Sequence, residues 1–478
     1  MAKTTKKKIK VRIESDPLGE KAVPRGAYYG VQTERARENF DISGIPPRRE
    51  LIIATAMIKR AAAEVNSELG LLSKKTARAI IRATDEIIRG GLHREFVVDV
   101  FQAGAGTSHN MNANEVIANR ATELLGGRRG DYTVVHPNDH VNMAQSTNDT
   151  FPTAMKLSAL MLSGGLTESL SGLERELKRK GRAFGRVIKS ARTHLRDAVP
   201  ITLGQEFASY AECIKKRRTR ITEATGALKT LGIGGSAAGT GLNTHPRYRR
   251  MVVRALSRSS GIRGLKPAPD TVEAMNSMAP FVDLSGALRA LAVELIRIAN
   301  DLRLLSSGPR TGLSEITLPA VQPGSSIMPG KANPVMAEML NMVSFQVVGN
   351  DLTIAMASQA GQLELNVMMP VISHNLLQSM DILTGGMRAF TERCVTGIEA
   401  DRERCREYFE RSIGLATVLN PIIGYGNAAT VARAAVERGV TLRELIAEKG
   451  LLSEEELDRL LDPATVTGPQ LKKMKRRV

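Results

Sequence analysis

Apolar residues recur through the middle of the chain at helical spacing. Leu284, Leu288, Leu291, Leu295, Ile298, Leu302 and Leu305 follow one another in alternating steps of four and three, and Leu166, Leu170, Leu173, Leu177 and Phe184 trace a second line. Such steps place every member on one narrow face of an α-helix, the seam of a helix packed lengthwise against others. Helical patterns also cover 50–70 and 74–90, whereas KIKVRIES near the N-terminus reads as extended and 16–30 as turn-rich. After about residue 400 the helices shorten and break at LNPIIGYGN, 419–427, and Ser453 with Glu456 predicts a capping box on a last short helix. The pattern therefore predicts a mainly α protein in three regions, 1–145, 146–400 and 401–478, with the long helices of the middle region in one bundle. Seams of this length pair between chains as readily as within one, so a bundle shared among subunits and an intramolecular bundle both stay open.

One stretch cannot join this pattern. GSSIMPGKANP, 324–334, holds two glycines and two prolines, and Pro329 and Pro334 each remove an N–H and fix φ, so neither a helix nor a central strand runs through it. It is a loop, and Ser325, Ser326, Lys331 and Asn333 equip it for an anion. A plain surface turn is the alternative.

Composition narrows the class. The 478 residues, 42% hydrophobic, suffice for two or three domains with a sizeable core. Cys213, Cys394 and Cys405 are scattered and odd in number, which argues against a disulfide framework or a zinc site and for a reducing, cytoplasmic setting. No apolar run approaches the roughly 20 residues of a membrane span, and MAKTTKKKIK lacks the apolar core of a secretory signal. Of the net charge of +18, the tails 1–10 and 471–478 hold ten charges, leaving +8 on the body. KKRRTR, 215–220, is a candidate phosphate contact, but 4% aromatics and no Trp supply few stacking platforms, so specific nucleic-acid binding is disfavoured. The positive field instead suits a small anionic substrate.

Three further stretches are dense in hydroxyls and amides: GAGTSHNMN (104–112), QSTND (145–149) and RTHLRDA (192–198). Thr, Ser, Asn and His can surround a carboxylate or an ammonium, with Lys331 for charge. Each alone reads as a cap or turn; Ser146 to Asp149, for instance, suits a helix N-terminus before Pro152. Four such stretches together point to a pocket assembled from remote segments. GIGGSAAGTG, 232–241, lacks the Lys-Ser/Thr of a phosphate-binding loop and has Ala237 where a dinucleotide motif needs its third Gly, so it reads as close packing or a turn. The seven histidines show no metal spacing, and His109 and His140 read as structural.

GSSIMPGKANP is similar to the signature loop of the aspartase/fumarase superfamily, and GAGTSHNMNANEV, HPNDHVNMAQSTND and RTHLRDAVPITLGQE stand in that family's order. The resemblance runs from AYYGVQTERARENF (27–40) to LNPIIGYGNAA (419–429). Within the superfamily, GTS at 106–108, STND at 146–149 and GQLELNVMMPVI at 361–372 resemble the ammonia-eliminating branch more than class II fumarases. The resemblance implies a homotetramer with a long shared helical bundle and active sites shared between subunits. It implies reversible elimination of ammonia from L-aspartate to fumarate, with no organic cofactor and with activation by a divalent cation known in relatives. Ser325 is then the general base. Thr107, Ser146, Thr147 and Ser326 hold the β-carboxylate, Thr193, Lys331 and Asn333 the α-carboxylate, and Asn148 and His194 lie near the departing amine. Arg196 departs from the glutamine usual in relatives. A class II fumarase and a catalytically silent, structural member are the alternatives.

Overall fold

The computed structural model describes residues 10–469, so both basic tails apart from Lys10 lie outside the described residues. Of the described residues 62% are helical, as the periodicity predicts. Its elements begin with a hairpin, β1 (Val11–Asp16) and β2 (Gly19–Pro24), then the helices α1 (Val31–Asn39), α2 (Arg49–Glu68), α3 (Lys74–Ile88) and α4 (Thr107–Leu124). The very long α5 (Thr147–Ala183) leads to a second hairpin, β3 (Ile188–Thr193) and β4 (Arg196–Thr202). Then come α6 (Leu203–Ala227), α7 (Tyr248–Ser260), α8 (Ala279–Leu305), α9 (Val335–Gln359) and α10 (Met369–Arg393). Short helices follow: α11 (Arg402–Arg411), α12 (Ala416–Ile423), α13 (Tyr425–Arg438), α14 (Leu442–Glu448) and α15 (Glu454–Leu460), with one further turn at Pro463–Val466. Among the described residues no helix is long and apolar enough to cross a membrane.

Both predicted seams are buried along their whole length, the first on α8 and the second on α5 with Phe184 just beyond it. Two compact units share the chain, one made of residues up to Thr167 with Thr219–Ala290 and Gln346–Leu383, the other of Glu168–Arg218, Leu291–Phe345 and the residues from Thr384 on. In the first unit, Ile52, Ala56 and Ala63 of α2 share a core with Ile80, Ala83 and Ile87 of α3 and Val116, Ile117 and Ala121 of α4. In the second, Phe409, Leu419, Val431, Leu445 and Leu457 bring α11 to α15 into one small core. Ser453 and Glu456 form the expected capping box on α15, and Thr441 with Glu444 forms another on α14. The predicted break at 419–427 falls on Gly424, between α12 and α13.

The N-terminus of α1 shows how the first unit is pinned. Its leading N–H groups lack intrahelical partners, and two carboxylates take them up: Glu115 accepts from the N–H groups of Gly30, Gln32 and Thr33 and from the Thr33 hydroxyl, and Glu14 accepts from Val31 at 2.9 Å. Both carboxylates are buried, and burial pushes the Glu115 carboxyl up to about 7 against the pull of those four donors. Backbone approaches this closely only because residue 30 is glycine; a Cβ there would meet the Tyr132 Oη and the Glu14 Oε2 at 2.6 Å. Gly30→Ala should therefore lower stability by about 1–3 kcal/mol, the range for overpacking a tight site. The midpoint of urea unfolding measures it, and an unchanged midpoint would show that the cap tolerates displacement.

Candidate active site

Two helix N-termini meet in the first unit. α4 starts at Thr107 after Gly104–Gly106, where Ala105 and Gly106 take left-handed φ values of 60° and 85°. Gly106 lies so close to the Phe151 ring that a Cβ would overlap its Cδ2. Phe151 belongs to the second turn of α5, so this contact sets the Thr107 end of α4 beside the start of α5. The Thr107 side chain is exposed, its hydroxyl turned back to the Gly104 carbonyl at 3.2 Å.

Ser146 caps α5. Its Oγ accepts from the Asn148 N–H at 3.2 Å while its own N–H donates to the Asp149 carboxylate at 3.0 Å, a reciprocal pairing of the capping-box kind. The Thr147 hydroxyl accepts from the Asn110 amide at 3.0 Å, which leaves its proton for a ligand. The Asn148 amide nitrogen donates to the Ala237 carbonyl at 2.8 Å, which leaves its Oδ1 as an acceptor. Thr107, Ser146, Thr147 and Asn148 are thus brought together, on the positive ends of two helices, where an anion is favoured.

Behind them stands a buried polar network that sequence reasoning missed. The Asp149 carboxylate, fully buried, accepts from Ser146 and from the N–H groups of Gly234 and Ser236 at 2.9 and 3.0 Å. The stretch 232–241 therefore packs closely over the start of α5, as expected of it; a Cβ on Gly235 would lie 2.8 Å from the Met275 Sδ. The buried Lys59 ammonium donates to the Asn142 Oδ1 at 2.8 Å, and that oxygen also faces the Asn110 amide at 3.3 Å. A chain thus runs from Lys59 through Asn142 and Asn110 to Thr147. Burial pulls Lys59 down to about 7 and pushes Asp149 up to about 6, each charge partly holding the other. The one signal for Lys59 was a charge inside the apolar run LIIATAMIKRAAA.

His109 is structural, as its lack of metal spacing suggested. The Thr55 hydroxyl gives its proton to the Leu51 carbonyl at 2.8 Å, so at 2.9 Å it accepts from the His109 Nε2–H and leaves Nδ1 bare and buried. His140 is half-buried, its Nδ1 accepting from the His136 N–H at 2.9 Å.

The second unit carries the other candidates. Thr193 and His194 lie at the tip of the β3–β4 hairpin, where Thr193 pairs with Arg196 and the two turn residues His194 and Leu195 have φ of 55° and 56°. Left-handed φ on two non-glycine residues is costly and marks a tightly held turn. Below it, Arg192 donates to the buried Glu315 at 2.7 Å, and Lys189, also buried, reaches the same carboxylate at 2.6 Å and Glu206 at 3.0 Å. The Arg196 side chain is exposed.

Ser325, Ser326, Lys331 and Asn333 share one loop, closed at its base by the Gly324 N–H to the Lys331 carbonyl at 2.9 Å and by the Asn333 amide to the Gly324 carbonyl at 2.7 Å. A side chain on residue 324 would overlap the Lys331 carbonyl, so the closure requires glycine. The Ser325 Oγ accepts two backbone N–H groups, from Ile327 at 3.2 Å and Met328 at 3.0 Å. Ser326 and Lys331 are exposed, and the tip presents Ile327 at 83% exposure. Among the described residues no three His, Cys, Asp or Glu side chains gather to hold a metal ion. A cavity of about 570 Å³, lined by Arg37, Phe40, Arg49 and Phe96 among others, contains none of the candidates.

A family model described as Lyase matches residues 19–349, and one described as Fumarase C C-terminus matches 415–468. The chain belongs to the aspartase/fumarase family of lyases. An aspartate ammonia-lyase of Bacillus sp is 51% identical over 96% of this chain and 98% of that protein. A class II fumarate hydratase of Helicobacter pylori is 46% identical, with 97% of this chain and 100% of that protein covered. Among solved structures, a fumarate lyase:delta crystallin from Brucella melitensis bound to cobalt superposes with a TM-score of 0.94 at 50% identity, over 96% of this chain and 100% of that one. The lyase fold is therefore secure along the length over which the four polar stretches lie.

Because His109 of this lyase is buried and held near 4 rather than 6.5, the unfolded chain binds its proton first as pH falls. Stability contributed by the neutral ring is complete above pH 6.5 and is lost as pH falls toward 4, to a total on the order of 3 kcal/mol. In His109→Asn the thermal midpoint should fall less steeply between pH 7 and 5 than in the native chain; parallel curves would refute the assignment.

Proposed function

We propose that the chain eliminates ammonia from L-aspartate to give fumarate, with Ser325 as the base. The observation that carries this reading is the setting of Ser325. A serine hydroxyl is a poor base at its ordinary pKa, but an oxygen that accepts two backbone N–H groups has its alkoxide stabilised, and Lys331 on the same loop adds positive charge. The Ser325 oxygen takes the proton from the carbon next to the β-carboxylate. The C–H electrons pass into that carboxylate as an enediolate with two negative charges, then return to form the C=C bond while the C–N pair leaves with ammonia.

Stabilisation of the enediolate has to come from fixed donors aimed at the developing charge. Thr107, Ser146, Thr147 and Ser326 serve that β-carboxylate, with Thr147 offering the proton its bond from Asn110 leaves free. Thr193, Lys331 and Asn333 serve the α-carboxylate. The free Oδ1 of Asn148 suits the substrate ammonium, with His194 beside it. The chemistry calls for no organic cofactor. The exposed apolar tip, Ile327 and Met328, favours closure over a bound substrate, which excludes water. For the leaving group, the support is the greater likeness to an aspartate ammonia-lyase than to a fumarate hydratase; elimination of water from malate is the second reading.

We further propose a homotetramer. On the outward side of α9, Met342, Phe345, Leu352 and Met356 are each more than half exposed and sit at steps that form a second seam, with Gly349 filling the remaining position. A helix apolar on both sides calls for a second partner surface.

Purified protein given L-aspartate should release fumarate, read by its absorbance, and L-malate should not; fumarate from malate alone would assign the chain to the hydratases. Ser325→Ala should cut kcat by about 10²–10⁴ with an unchanged elution volume, and near-native turnover would remove Ser325 as the base. Phe345→Asp with Leu352→Asp should convert the tetramer to smaller species in sedimentation.

A further inference from the structure

The charge of the body is concentrated in one place. Between Ala224 and Pro269 there are eight cations, Lys229, Arg247, Arg249, Arg250, Arg254, Arg258, Arg263 and Lys266, and no Asp or Glu. That equals the whole net charge of +8 outside the two tails, so the rest of the body is neutral on balance. Most of these cations lie on or beside α7.

The helix sorts them. Its inner face, Tyr248, Val252, Val253, Ala255 and Leu256, is buried, and α7 packs on α2. Arg247, just before the helix, and Arg250, Arg254 and Arg258 along it follow at steps of three and four, and all four are exposed. They form a stripe on one outer face, with stems about 4.5–6 Å apart along the axis and about 16 Å from first to last. Arg258 is paired with Glu64 at 2.8 Å. Arg247, Arg250 and Arg254 have no carboxylate partner among the described residues. An exposed face of this kind normally interleaves acids at i±3 and i±4, as α11 does with Arg404–Glu407 and Arg406–Glu410.

We propose that this face docks on the phosphate backbone of a nucleic-acid duplex, independently of base sequence. Guanidinium groups pair bidentately with phosphate, and Arg is the side chain suited to that fork. The stripe matches about five base pairs of a duplex that carries a charge every 3.4 Å per strand. Base reading is not expected: the outer face bears neither aromatic rings nor Asn or Gln to reach base edges. A membrane surface fits less well, because the apolar face of α7 is committed to the core and has nothing to insert.

The test uses the full chain with its tails, since those also attract polyanions. Fluorescence anisotropy of a labelled 20-base-pair duplex is followed against salt for the native chain, for Arg247→Gln with Arg250→Gln and Arg254→Gln, and for the same three changed to Glu. Each lost phosphate contact should lower the slope of log K against log salt by about 0.9, so the triple Gln variant should lose roughly 2.7 and the Glu variant at least as much. Fumarate formation should be unchanged in both, which separates a lost docking surface from a damaged fold. Equal slopes in all three proteins would assign binding to the tails and overturn the proposal. Tighter binding to phosphatidylserine vesicles than to the duplex, lost in the same variants, would overturn it in favour of a lipid surface.

Discussion

The first unit is organised around one buried carboxylate. Asp149 cannot carry its charge in an apolar interior without compensation, and the donors that compensate it are local and remote: Ser146, just ahead of α5, and Gly234 and Ser236 in the distant glycine-rich stretch. Satisfying Asp149 therefore fixes the first turn of α5, lays the 232–241 segment over it, and places the Ala237 carbonyl where it orients Asn148. Lys59 adds the balancing charge and, through Asn142 and Asn110, holds Thr147. The candidate ligand groups are thus oriented by a network that touches no ligand, and that network costs stability wherever it is left half-satisfied.

Much of this was legible in the chain and some was not, for identifiable reasons. The α5 and α8 seams were plain because a fully buried helix face repeats over many turns. The α15 cap was plain because its signal is local, Ser453 and Glu456 three residues apart. The polar stretch 104–112 continues into α4, where Ser108, His109, Asn110 and Asn112 are all buried. Those side chains spend their hydrogen bonds inside the unit, as Asn112 does on the Glu95 carbonyl and the Val97 N–H. A polar run can line a pocket or knit a core, and only the partners, distant in sequence, distinguish the two.

The same limit explains Glu14, Glu115 and Glu315. Each is an isolated acid in the sequence, and each becomes a junction only when its donors arrive from elsewhere: α1 for the first two, Lys189 and Arg192 for the third. Glu315 and Glu115 are matched by chemistry of opposite kinds. Glu115 is held by neutral N–H and O–H donors and burial raises it, whereas Glu315 faces two cations and anchors the strand that ends in the His194 turn.

Buried and exposed charge therefore follow different rules in this lyase. Inside, three buried acids each fix a segment through their partners: Asp149 the start of α5, Glu115 the start of α1, Glu315 the β3 strand. On most of the surface the acids and bases interleave at helical spacing, as in the Arg37–Glu34 and Lys178–Glu174 pairs. The outer face of α7 obeys neither rule. Three unpaired arginines at steps of three and four repel one another along a helix whose position is already set by its buried face, so they contribute nothing to folding that uncharged residues would not. Held in place by other contacts, these arginines keep their charge available to an external anion, which would relieve their mutual repulsion.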